Sequence, residues 1–325
     1  MVVGGEIMLN GVKPSGKTFA GIKAWTTKAD IATANLEIPL TNSRTATVRK
    51  TPSELRARTQ YILKADPGHV KWLADAGFDV VGLGNNHSMD YGWNGLQGMQ
   101  KLLDKNGIEW CGAGKNAEEA TAPRILRIKN GLKIAFVSIH AFRTDYGLWK
   151  CTPATEKSPG VATLAGVQVA NGGDVLSRRQ KAIVGEARKQ ADVVVVWLHW
   201  GTEKKSIPDF FQVKLGRGFI EAGADCVLGA HPHVLQGAEN YAGKPLFYSL
   251  GNLVSPRPGS TAVFRLTFTG RKLVRTEMLP CSISGGRVAP VPFAQRQSKS
   301  DSFTKLSASS ARKYKHPKAL PLSVK

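Results

Sequence analysis

The sequence holds only four cysteines in 325 residues: Cys111, Cys151, Cys226 and Cys281. They lie far apart and form no CxxC pair, so a cysteine-built metal site is not expected, and reduced, mostly buried thiols are. No apolar run approaches the roughly 20 residues that a membrane helix needs. The N-terminal stretch MVVGGEIMLN lacks the basic region and small-residue cleavage site of a secretory signal. The expected location is therefore cytoplasmic, or peripheral on a membrane. Acid is scarce: 24 Asp and Glu stand against 45 Lys and Arg, a formal net charge of +21. A field of this sign attracts polyanions, such as nucleic acid, an anionic membrane face or a polycarboxylate. No aromatic-interleaved RNA-binding motif is present, so no specific nucleic-acid partner is expected. Internal repeats are absent too, and no linker splits the chain before about residue 295.

What is present is one recurring unit. A helix-like stretch ends at a small residue, a β-branched run comes next, and a polar cluster closes it. VKWLADAG leads into FDVVGLG and then Asn85, Asn86 and His87. AIVGEARKQA leads into DVVVVWL and His199, and GFIEAG leads into ADCVLGA, His231, Pro232 and His233. Near the start, VVGG runs into Glu6, and ADIATANLE delivers Asn35 and Glu37. Continuous apolar runs alternating with helices imply buried strands in a mostly parallel or mixed sheet, an α/β fold. TAVFRLTFTGRKLVRTEMLP reads as a hairpin turning at Gly270–Arg271. It makes residues 260–295 an edge region of a single domain spanning 1–295. Residues 296–325 hold eight basic residues, one acid (Asp301) and many serines, a composition expected to stay disordered and to offer a basic tail to an anionic membrane.

In such sheets ligands sit at the carboxyl ends of the strands, and four of the seven histidines fall there. Glu6, Glu37, Asn86, His199, His231 and His233 are candidate ligands. Imidazole, carboxylate and carboxamide oxygen together suit Mn, Fe or Zn. Two ions about 3.5–4 Å apart clamp both oxygens of an in-line displacement, and Glu37 is placed to bridge them. His87, following a ligand-type asparagine, is the candidate general acid, with Asp90 as its orienting partner. His69, His140 and His316 are read as structural or solvated.

A cluster of six basic residues, Arg44 to Lys64, lies just after Glu37. Asn35, Arg44, Arg49 and Lys50 are the residues expected to receive an anionic substrate. A competing motif, GVKPSGKT (Gly11–Thr18), matches the P-loop pattern. A P-loop NTPase also needs a later strand ending in Asp to hold Mg²⁺, and the two best later strands end in histidine. A basic loop near the site is the preferred reading.

The segments GGEIML, TANLEIPLT, AGFDVVGLGNNHSMDYG, GLQGMQKLLDKNGIEWCGAG, VVVVWLHWGTE, GADCVLGAHPHVLQGAE and GKPLFYSLGNLV, in this order, resemble the CapA family. These are poly-γ-glutamate capsule synthesis proteins, similar in fold to calcineurin-like metallophosphoesterases. The resemblance runs over roughly residues 2–293. It implies a sandwich of two mixed β-sheets flanked by helices, with metals at one edge, and carries the six candidate ligands and His87 over to that site. It also implies a role in making, exporting or processing an anionic glutamate polymer, through hydrolase or transferase chemistry. A general phosphoesterase and a non-catalytic polyanion-binding subunit are the alternatives. The chain departs from the family in three ways. Glu6 stands where Asp is usual. Met8 occupies the place of the histidine in the D-x-H motif of true metallophosphoesterases, which leaves one metal position short of a ligand, so one ion is expected as readily as two. No membrane anchor of the kind many members carry is visible.

Overall fold

Apolar runs covered on both faces set the architecture. The structure is a computed structural model describing residues 1–12, 16–142, 150–164, 173–315 and 319–325, the side chains of 173–177 excepted. In chain order the strands begin with β1 (Val2–Ile7), β2 (Ala32–Leu36), β3 (Val80–Gly82) and β4 (Glu109–Cys111). Then come β5 (Ala113–Gly114), β6 (Arg124–Arg127), β7 (Lys133–His140) and β8 (Gly160–Val161). Next are β9 (Val193–His199), β10 (Cys226–Ala230), β11 (Ala238–Tyr241), β12 (Lys244–Phe247) and β13 (Asn252–Val254). A long hairpin, β14 (Gly259–Thr269) and β15 (Lys272–Ser284), precedes β16 (Arg287–Pro290) and β17 (Ser323–Val324).

One sheet runs β16-β15-β14-β1-β2-β3-β4, with β13 also on β1 and β17 on β15. The other runs β11-β12-β10-β9-β7-β6, and β5 pairs β8 separately. Neighbours from β1 to β4 are parallel, as are β7, β9, β10 and β12, while the long hairpin and the strands β6 and β11 are antiparallel. The expected sandwich of two mixed sheets with helices outside is the observed architecture.

The run VVVVWL in β9 shows why alternation is missing from the sequence. Val193, Val195 and Trp197 share an inter-sheet core with Val3, Phe136 and Phe264. Val194, Val196 and Leu198 pack on the other side with Val184 and Phe219 of the helices Gly173–Gln190 and Phe210–Glu221. A strand buried on both faces has no polar positions to alternate. The first sheet is covered likewise by Leu73, Leu96, Met99 and Leu103. Trp197 Nε1 donates across the sandwich to Thr33 Oγ1 at 3.1 Å. Beside β1 the chain comes so close that a Cβ on Gly5 would stand 1.8 Å from the Gly251 carbonyl oxygen. That same oxygen accepts the Glu6 N–H at 2.8 Å.

The described residues of the tail, 296–315 and 319–325, correct the expectation of disorder. A helix spans Phe293–Tyr314, and β17 adds to β15. Composition misleads here because the buried side of the helix is built from serine. Ser300, Ser307 and Ser310 are buried beside Phe303. Ser307 returns its hydroxyl to the Phe303 carbonyl at 3.1 Å and accepts the Ala238 N–H at 3.0 Å. Small hydroxyls with local acceptors bury cheaply. They let the helix approach Gly237, where a Cβ would meet Ser307 Cα at 2.5 Å. Phe303 plugs the inter-sheet core against Phe264, ring centroids 5.1 Å apart. His316 of this segment lies outside the described residues.

All four cysteines are free. Lys13, Pro14 and Ser15 of the P-loop match lie outside the described residues; Thr18 to Ile22 form turns before a helix of four residues, Lys23–Thr26. Among the described residues no helix is long and apolar enough to cross a membrane. Replacing Phe303 by alanine should cost about 3–5 kcal/mol of stability, read as a lowered urea midpoint. Ser302→Ala, on the exposed side of the same helix, should leave the midpoint in place, and equal midpoints for both variants would mean that the helix adds nothing to the core.

Candidate metal centre

Parallel pairing in register brings the strand ends to one edge of the sandwich. Glu6 lies opposite Asn35, and Asn35 opposite Gly82, whose strand opens into Asn85, Asn86 and His87. In the second sheet His140 lies opposite His199, and His199 opposite Ala230, which precedes His231. The loop after β3 is shaped by Asn85. Its Oδ1 accepts the N–H groups of His87 (3.1 Å) and Ser88 (2.9 Å), and its Nδ2 donates to the Leu36 carbonyl at 2.9 Å. An asparagine that caps its own turn is a local device readable in the sequence. The turn after β10 is forced: His231 has φ 97 and His233 φ 58, a left-handed backbone that non-glycine residues adopt at a cost.

Glu6, Glu37, Asn86, His199 and His231 are all buried, and His233 is largely so. Around His199 Nε2 stand Asn86 Oδ1 at 2.7 Å, His231 Nδ1 at 3.1 Å and Glu37 Oε1 at 3.3 Å. Around His233 Nδ1 stand Glu6 Oε2 at 2.6 Å, Asn252 Oδ1 at 2.9 Å and Glu37 Oε2 at 3.8 Å. Two sets of donors lie within 4.8 Å of one another, Glu6–Glu37–His199 and Glu37–His231–His233, and Glu37 belongs to both. Glu6 also accepts the His231 N–H.

The electrostatics fit a cation. Burial raises the carboxyls of Glu6 and Glu37. It pushes His199 down to about 3 and His231 well below the usual imidazole range, so both are neutral. Burial also opposes charge on His233, but the Glu6 and Glu37 carboxylates outweigh it and hold that ring up to about 10. Among the described residues none donates a hydrogen bond to either oxygen of the fully buried Glu37. A buried carboxylate is expensive unless paired or bound to metal, and donors of these types suit a divalent transition ion. The residues present therefore fit a metal held between the two sets.

His87 stands beside the ligand-type Asn86. Its Nδ1 is 2.7 Å from Asp90 Oδ2, and Asp90 Oδ1 accepts from Lys50 Nζ at 2.5 Å. Lys50 donates further to the carbonyls of Tyr61 (2.7 Å) and Asn86 (3.0 Å) and lies 3.3 Å from His87 Nδ1. Lys50, expected to receive substrate, is 3% exposed, and its ammonium is hydrogen-bonded to protein acceptors. Asn35, expected in the same role, also lies inside the protein. It is buried, 3.3 Å from His199 Nδ1, and steadies that ring. Arg44 and Arg49 remain exposed.

Sequence reasoning missed four residues. His140, read as structural, stacks on His199 with centroids 5.9 Å apart and places Nδ1 3.5 Å from Cys151 Sγ. Phe142 packs edge-on to His231 at 4.6 Å. Glu203 Oε1 lies 3.7 Å from His233 Nε2, and Asn252 supplies its Oδ1 to the other nitrogen of that ring. Signals existed for three of them: His140 ends an apolar run, Glu203 comes just after the HWG turn, and Asn252 is preceded by a glycine as Asn85 is. His69 packs edge-on to Trp72, centroids 4.1 Å apart, as a core residue.

Comparison with known proteins agrees with the motifs. The family described as "Bacterial capsule synthesis protein PGA_cap" matches residues 3–257. The "PGA biosynthesis protein CapA" of Bacillus subtilis (strain 168) is 31% identical over 267 residues, covering 81% of this chain and 64% of that protein. The "Capsule biosynthesis protein CapA" of Bacillus anthracis is 28% identical over 280 residues, 85% of this chain and 64% of its own. A "Probable polyglutamine synthesis accessory protein" of Mycobacterium tuberculosis (strain H37Rv) is 25% identical over 300 residues, 89% of this chain and 73% of its own. The chain thus spans under two thirds of the length of the two Bacillus relatives. Among solved structures, TT1561 of Thermus thermophilus aligns with TM-score 0.47 and 12% identity over 85% of this chain and 97% of that one. On the match over residues 3–257, the chain belongs to the bacterial capsule synthesis protein PGA_cap family.

Proposed function

We propose that this chain is a metal-dependent enzyme that acts on an anionic glutamate polymer of the capsule type during its synthesis or processing. The observation that carries the reading is Glu37: a buried carboxylate without a hydrogen bond from the described residues, shared by two sets of ligand-type atoms. Glu6, Glu37, Asn86, His199, His231 and His233 would hold one or two divalent ions. A bound ion supplies Lewis-acid polarisation and a lowered water pKa. His87 lies outside the ligand sets, with Nδ1 turned to Asp90, so its Nε2 is the atom that gives a proton to a leaving group. Asp90 fixes the ring, and Lys50 fixes Asp90. Phe142 covers one side of His231 and keeps water from it. Arg44 and Arg49, exposed on the stretch that Thr47 ties to the Asp90 carbonyl at 2.8 Å, receive the substrate's negative charge. The names of the Bacillus relatives, biosynthesis proteins of a capsule and of PGA, supply the polymer.

Three outcomes test this reading. His199→Ala should strip the bound metal, whereas His87→Ala should retain it and lower turnover by about 10²–10⁴-fold, measured by elemental analysis beside a panel of γ-glutamyl and phosphoester substrates with Mn²⁺. Turnover confined to phosphoesters would favour a general phosphoesterase, and polymer binding that both variants keep, without turnover by the wild type, would favour a binding subunit. Lys50→Met, which removes the cation paired with buried Asp90 and leaves it the Leu63 N–H and His87, should cost about 3–5 kcal/mol in denaturant melts. Because His233 is held charged up to about 10 by the two carboxylates, cation binding must expel its proton. Mn²⁺ affinity should therefore fall as pH falls through neutrality. Calorimetry in buffers of different ionisation enthalpy should count about one proton released per metal-loaded His233, and a count of zero would contradict the proposal.

A further inference from the structure

We propose that His140 is a further substrate-touching group of this centre, a neutral ring that offers Nε2 to an oxygen of the substrate, and that Cys151 sets the ring for that role. The inference goes beyond the reading above, which gives neither residue a part, and rests on it for the place of the substrate. His140 ends β7 opposite His199 at the end of β9, so the two side chains leave neighbouring strands on one face of the sheet. Their rings lie 20° from parallel, with centroids 5.9 Å apart. The backbone here is held from both sides. The His140 N–H donates to the Ala162 carbonyl and the Ala141 N–H to the His199 carbonyl, each at 2.9 Å. The ring therefore starts from a fixed strand end, at the edge where the candidate ligands stand.

The two nitrogens of the ring are unequal. Nδ1 lies 3.5 Å from Cys151 Sγ, within reach of a thiol hydrogen bond. Nε2 is buried and has no partner among the described residues. With the residue only 5% exposed, an unmet ring nitrogen carries the full cost of its lost hydration. A buried polar atom in a purely structural role normally finds its partner inside the chain. Burial pushes Cys151 up to about 12, so it stays a thiol with a proton to donate. Burial also holds His140 well below the usual imidazole range, so the ring keeps one proton. A thiol donating to Nδ1 puts that proton on Nε2 and makes the orphan atom a donor. Its acceptor is an oxygen, and the substrate of the reading above is rich in anionic oxygens. The charges that act on this ring are those of His199, Lys50 and His87. His140 thus stands within electrostatic reach of a candidate ligand and of the proposed acid, which in that reading bracket the bond acted on.

Carboxamides separate the two nitrogens, because asparagine places its amide near Nδ1 and glutamine near Nε2. His140→Asn should keep the fold and the bound metal and lower kcat by about 10²–10³-fold, the loss that follows removal of one donor to a developing charge. The substrate is whichever γ-glutamyl compound the wild type turns over. His140→Gln, which restores a donor near Nε2, should recover most of that loss. Wild-type turnover by His140→Asn would overturn the proposal. Equal losses in the two variants, or loss of metal from both, would do the same, since either leaves the ring a supporting role only. The ¹⁵N resonances of the Zn²⁺-loaded full chain give an independent readout. In the wild type the proton should sit on Nε2, and its signal should move when γ-linked tetraglutamate is added. Cys151→Ala should divide the proton between the two nitrogens. A proton on Nδ1, or an Nε2 signal indifferent to the peptide, would overturn the assignment even if neither His140 variant folds. A wild type that turns over no substrate fails the enzyme reading alone, and the peptide titration still decides His140.

Discussion

The arrangement depends on where the protein places the charge of Glu37. This carboxylate is fully buried, receives no hydrogen bond from the described residues, and looks toward imidazoles and a second acid, Glu6. Folding tolerates such a group only when something nearby offsets its dehydration. Within the chain the offset comes from His233, which the carboxylates hold protonated, and a divalent ion would supply it more fully. Much of the edge reflects this requirement. The strands deliver acids and neutral rings, Phe142 packs against His231, and the strained turn at His231 and His233 aims two rings from a span of three residues.

The basic segment after Glu37 takes on two roles. Arg44 and Arg49 keep their charges in solvent, where they contribute to the field. Lys50, one residue further, is drawn inward, and its ammonium links Asp90, the Asn86 carbonyl and the Tyr61 carbonyl. The exposed basic residues and the lysine that supports the His87–Asp90 pair thus belong to one short stretch of chain.

Much of the fold and of the candidate site was legible in the sequence, because both depend on local rules. Apolar runs such as VVVVWL mark strands covered on both faces, and parallel strands present the residues beyond their carboxyl ends at a common edge. Thus Glu6, Glu37, Asn86, His199, His231 and His233 stand out once the residue closing each run is considered. The features that escaped were nonlocal or chemically disguised. Asn252 enters through the β1–β13 register, which no spacing encodes. Glu203 lies two residues beyond a turn, and its relation to His233 exists only in three dimensions. Lys50 carries the same charge as its neighbours, and only burial separates it from them. The serines of Phe293–Tyr314 resemble those of a solvated tail until Gly237 is seen beneath them.

The closeness of Gly5 to Gly251 has a consequence for how this chain can drift. Each candidate ligand has chemically related replacements: aspartate for glutamate, or glutamine for asparagine. No side chain of any kind fits between Gly5 and the Gly251 carbonyl, since even a methyl carbon would sit 1.8 Å from that oxygen. Any residue that gains bulk at Gly5 must push β1 away from the carbonyl that anchors Glu6, and so shift the acid without touching it. Gly5, which contributes no functional group, is therefore less open to mutation than the candidate ligands, and a library that varies only those ligands would miss where evolvability ends.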